Sequence, residues 1–303
     1  MIRAVAGATT HVGQVREGNE DSFIAEEGLY FVADGMGGHS AGEIASAIAI
    51  ATLHNLHQDS NRPLNSADAV TEAVAAANRA IFAEALADSS KSGMGTTLTG
   101  IVVTRPEDDQ VVVANVGDSR TYLWRHGELR QITKDHSHVQ TLVDRGAITR
   151  AEARVHFQRN IVLRAMGIES WVDVDTFELV IEDGDRFIVC SDGLVDEADD
   201  DEIEREIRHS GGPQNLSERL VDLANRNGGR DNVTVVVVDF EVVRQPVTTE
   251  TDHPVVGDAH DDSPTSVMVR ERRPSPWLTV AAFGMFAVSA AITLAVVITA
   301  ATS

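Results

Sequence analysis

The chain has 303 residues, 43% of them hydrophobic, which is enough apolar mass for a packed core and excludes disorder throughout. Aspartate and glutamate outnumber lysine and arginine 47 to 25, and the formal net charge of -22 repels polyanions, which argues against nucleic acid as a partner. The single cysteine, Cys190, can form no internal disulfide, and a cysteine phosphatase would need an arginine six positions on, where Asp196 stands, so the chain fits a reducing compartment without thiolate chemistry.

Met1 to Gly13 lacks the charged head and long apolar stretch of a secretory leader. Next, 22–25 and 30–33 read as the strands of a hairpin whose two-residue turn is Glu27-Gly28. Pairing Glu26 with Leu29 and counting outward sets Asp21 across from Asp34 and Glu20 across from Gly35. Three acids and a glycine carbonyl then meet at the hairpin mouth, and short oxygen donors of this kind select hard ions such as Mg²⁺ or Mn²⁺. Ser40 with Glu43 forms a capping box that opens a helix over 41–56, and Val70, Val74, Ala77 and Ile81 keep helical period in a second. Further strands are expected at 97–104, 111–116, 121–124, 128–132, 177–181, 186–190 and 233–240, with Asp183-Gly184 as a plain hairpin turn. Adjacent hairpins favour antiparallel sheets, and the two helices packed outside them predict a layered α/β sandwich.

Beyond the last strand, 244–276 holds five of the eight prolines among Thr, Ser, Asp and His, without helical or strand period, the composition of a solvated tether. From Pro274 on, the last 30 residues carry no charged side chain, and 278–301 is long enough to cross a hydrocarbon core of about 30 Å as a helix. Arg270, Arg272 and Arg273 precede it, which places everything N-terminal to it in the cytoplasm. The expected organisation is therefore a folded domain at 1–243, a tether at 244–276 and a single transmembrane helix at 277–302.

Most of the chemistry lies in where aspartates fall relative to apolar strands. Phe31-Val32-Ala33 runs into Asp34-Gly35, 187–191 runs into Asp192-Gly193, 111–116 runs into Gly117-Asp118, and Asp231-Asn232 precedes 233–238. Asp-Gly is ordinary turn vocabulary, so each aspartate alone reads as a turn or cap. Four at strand ends of one sheet edge would repel each other unless cations sat among them. No paired Cys or His spacing suggests zinc.

Taken together, Arg16 to Asp21 (REGNED), Asp34 to His39 (DGMGGH), Gly95-Thr96-Thr97, Gly117 to Arg120 (GDSR), Ser191 to Gly193 (SDG) and Gly229 to Asn232 (GRDN) resemble the PP2C family of metal-dependent protein serine/threonine phosphatases, over about residues 5 to 240. The form of DGMGGH resembles the bacterial branch, and the tether and apolar tail resemble its membrane-anchored actinobacterial members, which partner receptor-like kinases. The resemblance implies an α+β fold, an α-β-β-α sandwich of two antiparallel sheets flanked by helices. It implies hydrolysis of phosphoserine and phosphothreonine by water activated between two Mn²⁺ or Mg²⁺ ions. In this chain Asp34 would bridge the ions, Gly35 would offer its carbonyl, Asp192 and Asp231 would complete the set, and Glu20 and Asp21 would act largely through bound water. Asp118 would help hold a weaker third ion, and Arg16 would clamp the phosphate with its planar fork.

Where eukaryotic members carry histidine directly after Asp-Gly, this chain has Met36, which leaves His39 or a metal-bound water as the proton donor. Lys134 to Gly167 resembles the flap that borders the substrate cleft, and its histidines at 136, 138 and 156 make no metal spacing. Partners expected on this reading are phosphorylated proteins, serine/threonine kinases among them, and the membrane through the C-terminal helix. Two other readings stay open at this point: a catalytically idle phosphoprotein-binding module, and an enzyme for small phosphoesters.

Overall fold

Long runs of valine and isoleucine with no polar alternation need cover on both faces, and the fold provides it with two stacked sheets and a helical layer outside each. A computed structural model describes residues 2–37 and 41–243. His39, Ser40 of the expected capping box, the tether and the apolar segment at 277–302 lie outside the described residues. Among the described residues no helix is long and apolar enough to cross a membrane.

In chain order the strands are β1 (Ile2–His11), β2 (Asp21–Glu26), β3 (Leu29–Met36), β4 (Gly95–Thr96), β5 (Leu98–Arg105), β6 (Gln110–Val116), β7 (Arg120–Arg125), β8 (Glu128–Gln131), β9 (Asp175–Val180), β10 (Arg186–Cys190) and β11 (Val233–Val242). Helices are α1 (Ala41–Gln58), α2 (Ala67–Ala87), α3 (His138–Asp144), α4 (Arg150–Arg154), α5 (Asp192–Val195), α6 (Asp200–His209) and α7 (Pro213–Asn227). One sheet has the order β1-β11-β10-β7-β8; the other has β2-β3-β5-β6-β9, with β4 pairing β3, and all these pairings are antiparallel.

Alternation within each strand sorts side chains into three apolar layers. Phe31 and Ala33 of β3 pack under α1 and α2, while Tyr30 and Val32 face the second sheet. In β11, Val235 and Val237 pack under α7, while Val236, Val238 and Phe240 fill the space between the sheets. Phe187 and Phe240 meet there edge to face at 5.7 Å.

Hairpin register follows the counting from the turn: Glu26 pairs with Leu29 and Asp21 with Asp34. Three features correct the expectation. Two helices are too few, because α6 and α7 cover the outer face of the β1-β11 sheet. The strand β1 was not expected. Asp183-Gly184 is a tight turn, but it joins β9 to β10 across the two sheets and so is not a hairpin.

Candidate active site at the open ends of the two sheets

Three chain segments fix the mouth of the β2–β3 hairpin. The backbone of Asp34 is gripped on both sides: its N–H donates to Thr97 Oγ1 at 3.1 Å, and its carbonyl accepts from Thr97 N at 2.9 Å and Thr96 Oγ1 at 2.8 Å. Gly35 N donates to the Glu20 carbonyl at 3.2 Å. A Cβ on Gly35 would lie 2.2 Å from the Gly42 carbonyl oxygen and 2.5 Å from that of Glu20, so only glycine lets the first turn of α1 come this close. Opposite Asp34, Asp21 Oδ2 accepts from Ser191 Oγ at 2.9 Å and Thr234 Oγ1 at 2.7 Å, which ties the hairpin of one sheet to β10 and β11 of the other.

The remaining aspartates arrive from far along the chain. Asp192 opens α5 directly after β10, where a Cβ on Gly193 would lie 1.9 Å from the Asn232 carbonyl oxygen. Asp118 follows the β6 strand and Gly117. Asp231 stands in a loop held by Glu197, which accepts from Arg230 N at 3.1 Å and Arg230 Nε at 2.7 Å. Asn232 laces this loop to the N-terminal segment: its Nδ2 donates to the carbonyls of Val12 and Gly18, both at 2.9 Å, and its Oδ1 accepts from Glu20 N at 2.8 Å.

Burial and mutual repulsion show that these carboxylates share one site. Asp34 and Asp192 are both held well above the usual carboxylate range. For Asp34 the causes are burial first, then the charges of Asp21, Asp192 and Asp118; for Asp192, burial, then Asp118, Asp196 and Asp231. Burial pushes Asp21 up to about 6 against the pull of the Thr234 and Ser191 hydroxyls, and Asp118 up to about 7, with the charge of Asp135 adding to it. Glu20 is raised as well, by burial, and its partners are Arg16, Asp231, Glu43 and the Gly42 N–H. Arg16, half exposed, donates from Nη2 to Asp231 Oδ2 at 2.6 Å.

Oxygen donors alone line the site, and one of them, Asp21 Oδ1, is buried with no hydrogen-bond partner. Such an atom is costly to bury unless a cation or water meets it. Among the described residues no three His, Cys or carboxylate side chains close into a preformed metal cage. Hard ions such as Mg²⁺ keep several waters and take only one or two carboxylates each. The donor set therefore fits hard divalent cations.

A cavity of about 540 Å³ extends from Asp118 and Asp192 to Val139, Val143, Arg154 and Val155 of the flap segment. A second, of about 470 Å³, opens beside Arg16, Glu20, Glu43 and Asn232. The flap is pinned to the body by Arg154 Nη1, which donates to the carbonyls of Val195 at 2.9 Å and Ala198 at 3.1 Å. Phe157 of the flap is 85% exposed. His39 is outside the described residues. Sequence reasoning held Ser191, Thr97 and Asn232 only as motif residues without a role and missed Thr234 and Glu197; the hydroxyls beside SDG and DNVT sat in plain view, but only the pairing of β10 with β11 says that they converge on Asp21.

A family model described as "Protein phosphatase 2C" matches residues 17–224. The serine/threonine protein phosphatase PstP of Mycobacterium tuberculosis is 45% identical over 229 residues, 75% of this chain and 43% of that protein, so the chain spans less than half the length of this relative. The serine/threonine phosphatase stp of Listeria monocytogenes is 35% identical over 244 residues, 78% of this chain and 96% of that protein. Among solved structures, the catalytic domain of PstP in complex with two manganese ions superposes with a TM-score of 0.71 at 40% identity, covering 80% of this chain and all of that one.

Proposed function

The chain belongs to the protein phosphatase 2C family, and from that premise we propose that it hydrolyses phosphoserine and phosphothreonine in proteins with the help of Mn²⁺ or Mg²⁺. The observation that carries the proposal is the convergence of Asp21, Asp34, Asp118 and Asp192 on one site, with their carboxyls all raised by burial and mutual repulsion, and the charge of Arg120 only partly offsetting it at Asp118.

Asp34, with the Gly35 carbonyl, Asp192 and Asp231, would hold two ions; Glu20 and Asp21 would reach them through water, and Asp118 with Asp192 would hold a weaker third. Bound there, such ions acidify water and neutralise charge on phosphoryl oxygens. The chain's own part is positional. Arg16 lies at the rim of the second cavity, where its planar fork can direct two N–H groups to phosphate oxygens. Glu197, through Arg230, and Asn232 hold Asp231 and Glu20 in register. The leaving serine or threonine oxygen needs a proton, which either His39, four positions after Gly35 in the sequence, or a metal-bound water would supply.

We further propose the organisation expected from the sequence: a phosphatase domain at 1–243, a tether at 244–276 and a single membrane-spanning helix at 277–302, with the domain on the cytoplasmic face opposing serine/threonine kinases. The three arginines before an uncharged stretch support it.

Release of phosphate from a phosphothreonine peptide, measured with added Mn²⁺ and with chelator, tests the central reading. Metal-dependent turnover is expected, and turnover that persists in chelator rejects it.

A further inference from the structure

Two hydrogen bonds close a ring between His136 and Gly117. The Gly117 N–H donates to imidazole Nδ1 at 3.0 Å, and the His136 N–H donates to the Gly117 carbonyl at 2.9 Å. A nitrogen that accepts from a backbone N–H carries no proton, so the ring is the neutral tautomer with its hydrogen on Nε2. Asp175 Oδ2 stands 3.1 Å from Nε2 and accepts that hydrogen. Arg164 Nη1 donates to the other oxygen, Asp175 Oδ1, at 2.7 Å; its 2.9 Å approach to Nε2 is that of two donors dividing one carboxylate. Burial pushes Asp175 up, and its hydrogen bonds with His136 and Arg164 and the charge of Arg164 pull it down, which suits Asp175 as the acceptor of both donors.

Gly117 needs such a hold. Its φ of +109° is in the region that favours glycine, and its carbonyl also accepts from Asn115 Nδ2 at 3.2 Å. The next residue is Asp118. Arg164, for its part, lies two residues before Met166, whose backbone exchanges hydrogen bonds of 3.1 and 2.8 Å with Thr96, the residue whose hydroxyl holds the Asp34 carbonyl.

We propose that His136 is a positioning residue for the reaction: oriented by Asp175 and Arg164, its Nδ1 fixes the Gly117–Asp118 turn so that the Asp118 carboxylate faces Asp34 and Asp192. The proposal rests on the reading of Asp118 as part of the reaction centre.

Two substitutions divide the imidazole's functions. In His136→Asn the amide oxygen falls where Nδ1 was and still accepts from Gly117. In His136→Gln the amide reaches Asp175 but leaves the Gly117 N–H unpaired. Nitrogen NMR of the unsubstituted protein should show Nε2 protonated and Nδ1 bare, and amide exchange at Gly117 should accelerate in His136→Gln alone. At saturating Mn²⁺ on a phosphothreonine peptide, His136→Gln should lose roughly 10- to 100-fold in kcat, as outer-shell partners do, while His136→Asn recovers most of it. A proton on Nδ1, equal exchange in the two variants, or equal kcat losses that track a lowered Tm would overturn the proposal. If the unsubstituted protein releases no phosphate at all, the reading of the reaction fails, whereas the tautomer and the exchange rates still decide the placement of His136.

Discussion

Recessed carboxylates occur at both ends of β10, and the chain treats them oppositely. At its start, Asp185 is 1% exposed and accepts from Arg125 Nε at 2.7 Å, Arg125 Nη2 at 2.5 Å and Glu182 N at 2.8 Å. At its end, Asp192 and its neighbours Asp34, Asp118 and Asp21 press on one another, and the nearby Arg16 bonds only Asp231. A buried carboxylate with its own guanidinium holds the fold. A group of them without one stores repulsion that a cation from solution can relieve, so the two ends of one strand separate structural charge from functional charge.

Substitutions that isosterically neutralise one carboxylate at each end should break this symmetry in opposite directions. Asp34→Asn removes a donor from ions that supply several kcal/mol to the barrier, so kcat/KM on a phosphothreonine peptide should fall about 10³-fold. Stability against unfolding in chelator should be unchanged or up to about 1 kcal/mol greater, because one repelled carboxylate is gone. Asp185→Asn should do the reverse: breaking a buried pair on one side costs about 3 to 5 kcal/mol, read by denaturant unfolding. Its turnover, assayed well below the lowered Tm, should stay within about twofold, since the site is remote. An Asp34→Asn protein as unstable as Asp185→Asn would erase the distinction.

Acidity sharpens the same contrast with a smaller effect. Asp21 and Asp118 move from an ordinary 3.8 to about 6 and about 7 on folding. Both folded values lie above the unfolded one, so the folded state keeps protons that the unfolded state has released. The stability they contribute is fully present below about pH 4 and is lost as pH rises through 6 and 7, with up to about 1.4 kcal/mol per unit for each group. Unfolding free energy of the chelated protein should therefore decline from about pH 4 to about pH 7 and level off above that. Added Mn²⁺, which competes with those protons, should flatten or reverse the decline. A chelated protein that gains stability over that window would show that the site carboxylates are not raised.

Local signals made much of this legible in the sequence, and the failures have physical causes. Glu27-Gly28 fixed the register of β2 and β3 because a two-residue turn leaves one way to count, and the meeting of Asp21 with Asp34 followed. Strand β1 escaped because its inward positions, Ala4, Ala6 and Ala8, carry little hydrophobicity, so its period of two is faint. Helices α6 and α7 were written more clearly than they were read: Asp199 with Glu202 is a capping box, and Leu216, Leu220 and Leu223 keep helical spacing behind Pro213. His136 was dismissed for want of a metal spacing, and only tertiary contact shows that it serves a backbone N–H. Asp183-Gly184 was mistaken for a hairpin because turn chemistry says that the chain reverses, not which sheet it enters next.

Arg16 gives the smallest predicted effect and bears most directly on how the two kinds of charge meet. Its Nη2 lies 2.6 Å from Asp231 Oδ2, so it touches the same carboxylate that is assigned to an ion. An exposed pair of this type is worth at most about 1 kcal/mol, which converts to an affinity change of about fivefold. Arg16→Ala removes a competitor for that oxygen, and Mn²⁺ binding measured by titration should tighten by up to about that factor. Catalysis should move the other way, because the phosphate loses two directed donors: KM should rise about tenfold, and Arg16→Lys should recover only part of it, since a point charge cannot grip two oxygens at once. Opposite signs for ion affinity and substrate affinity would mean that the guanidinium is shared between the carboxylate and the phosphate. Weaker ion binding in Arg16→Ala would mean instead that the pair simply holds Asp231 in place, and that Arg16 belongs with Arg125 among the structural charges.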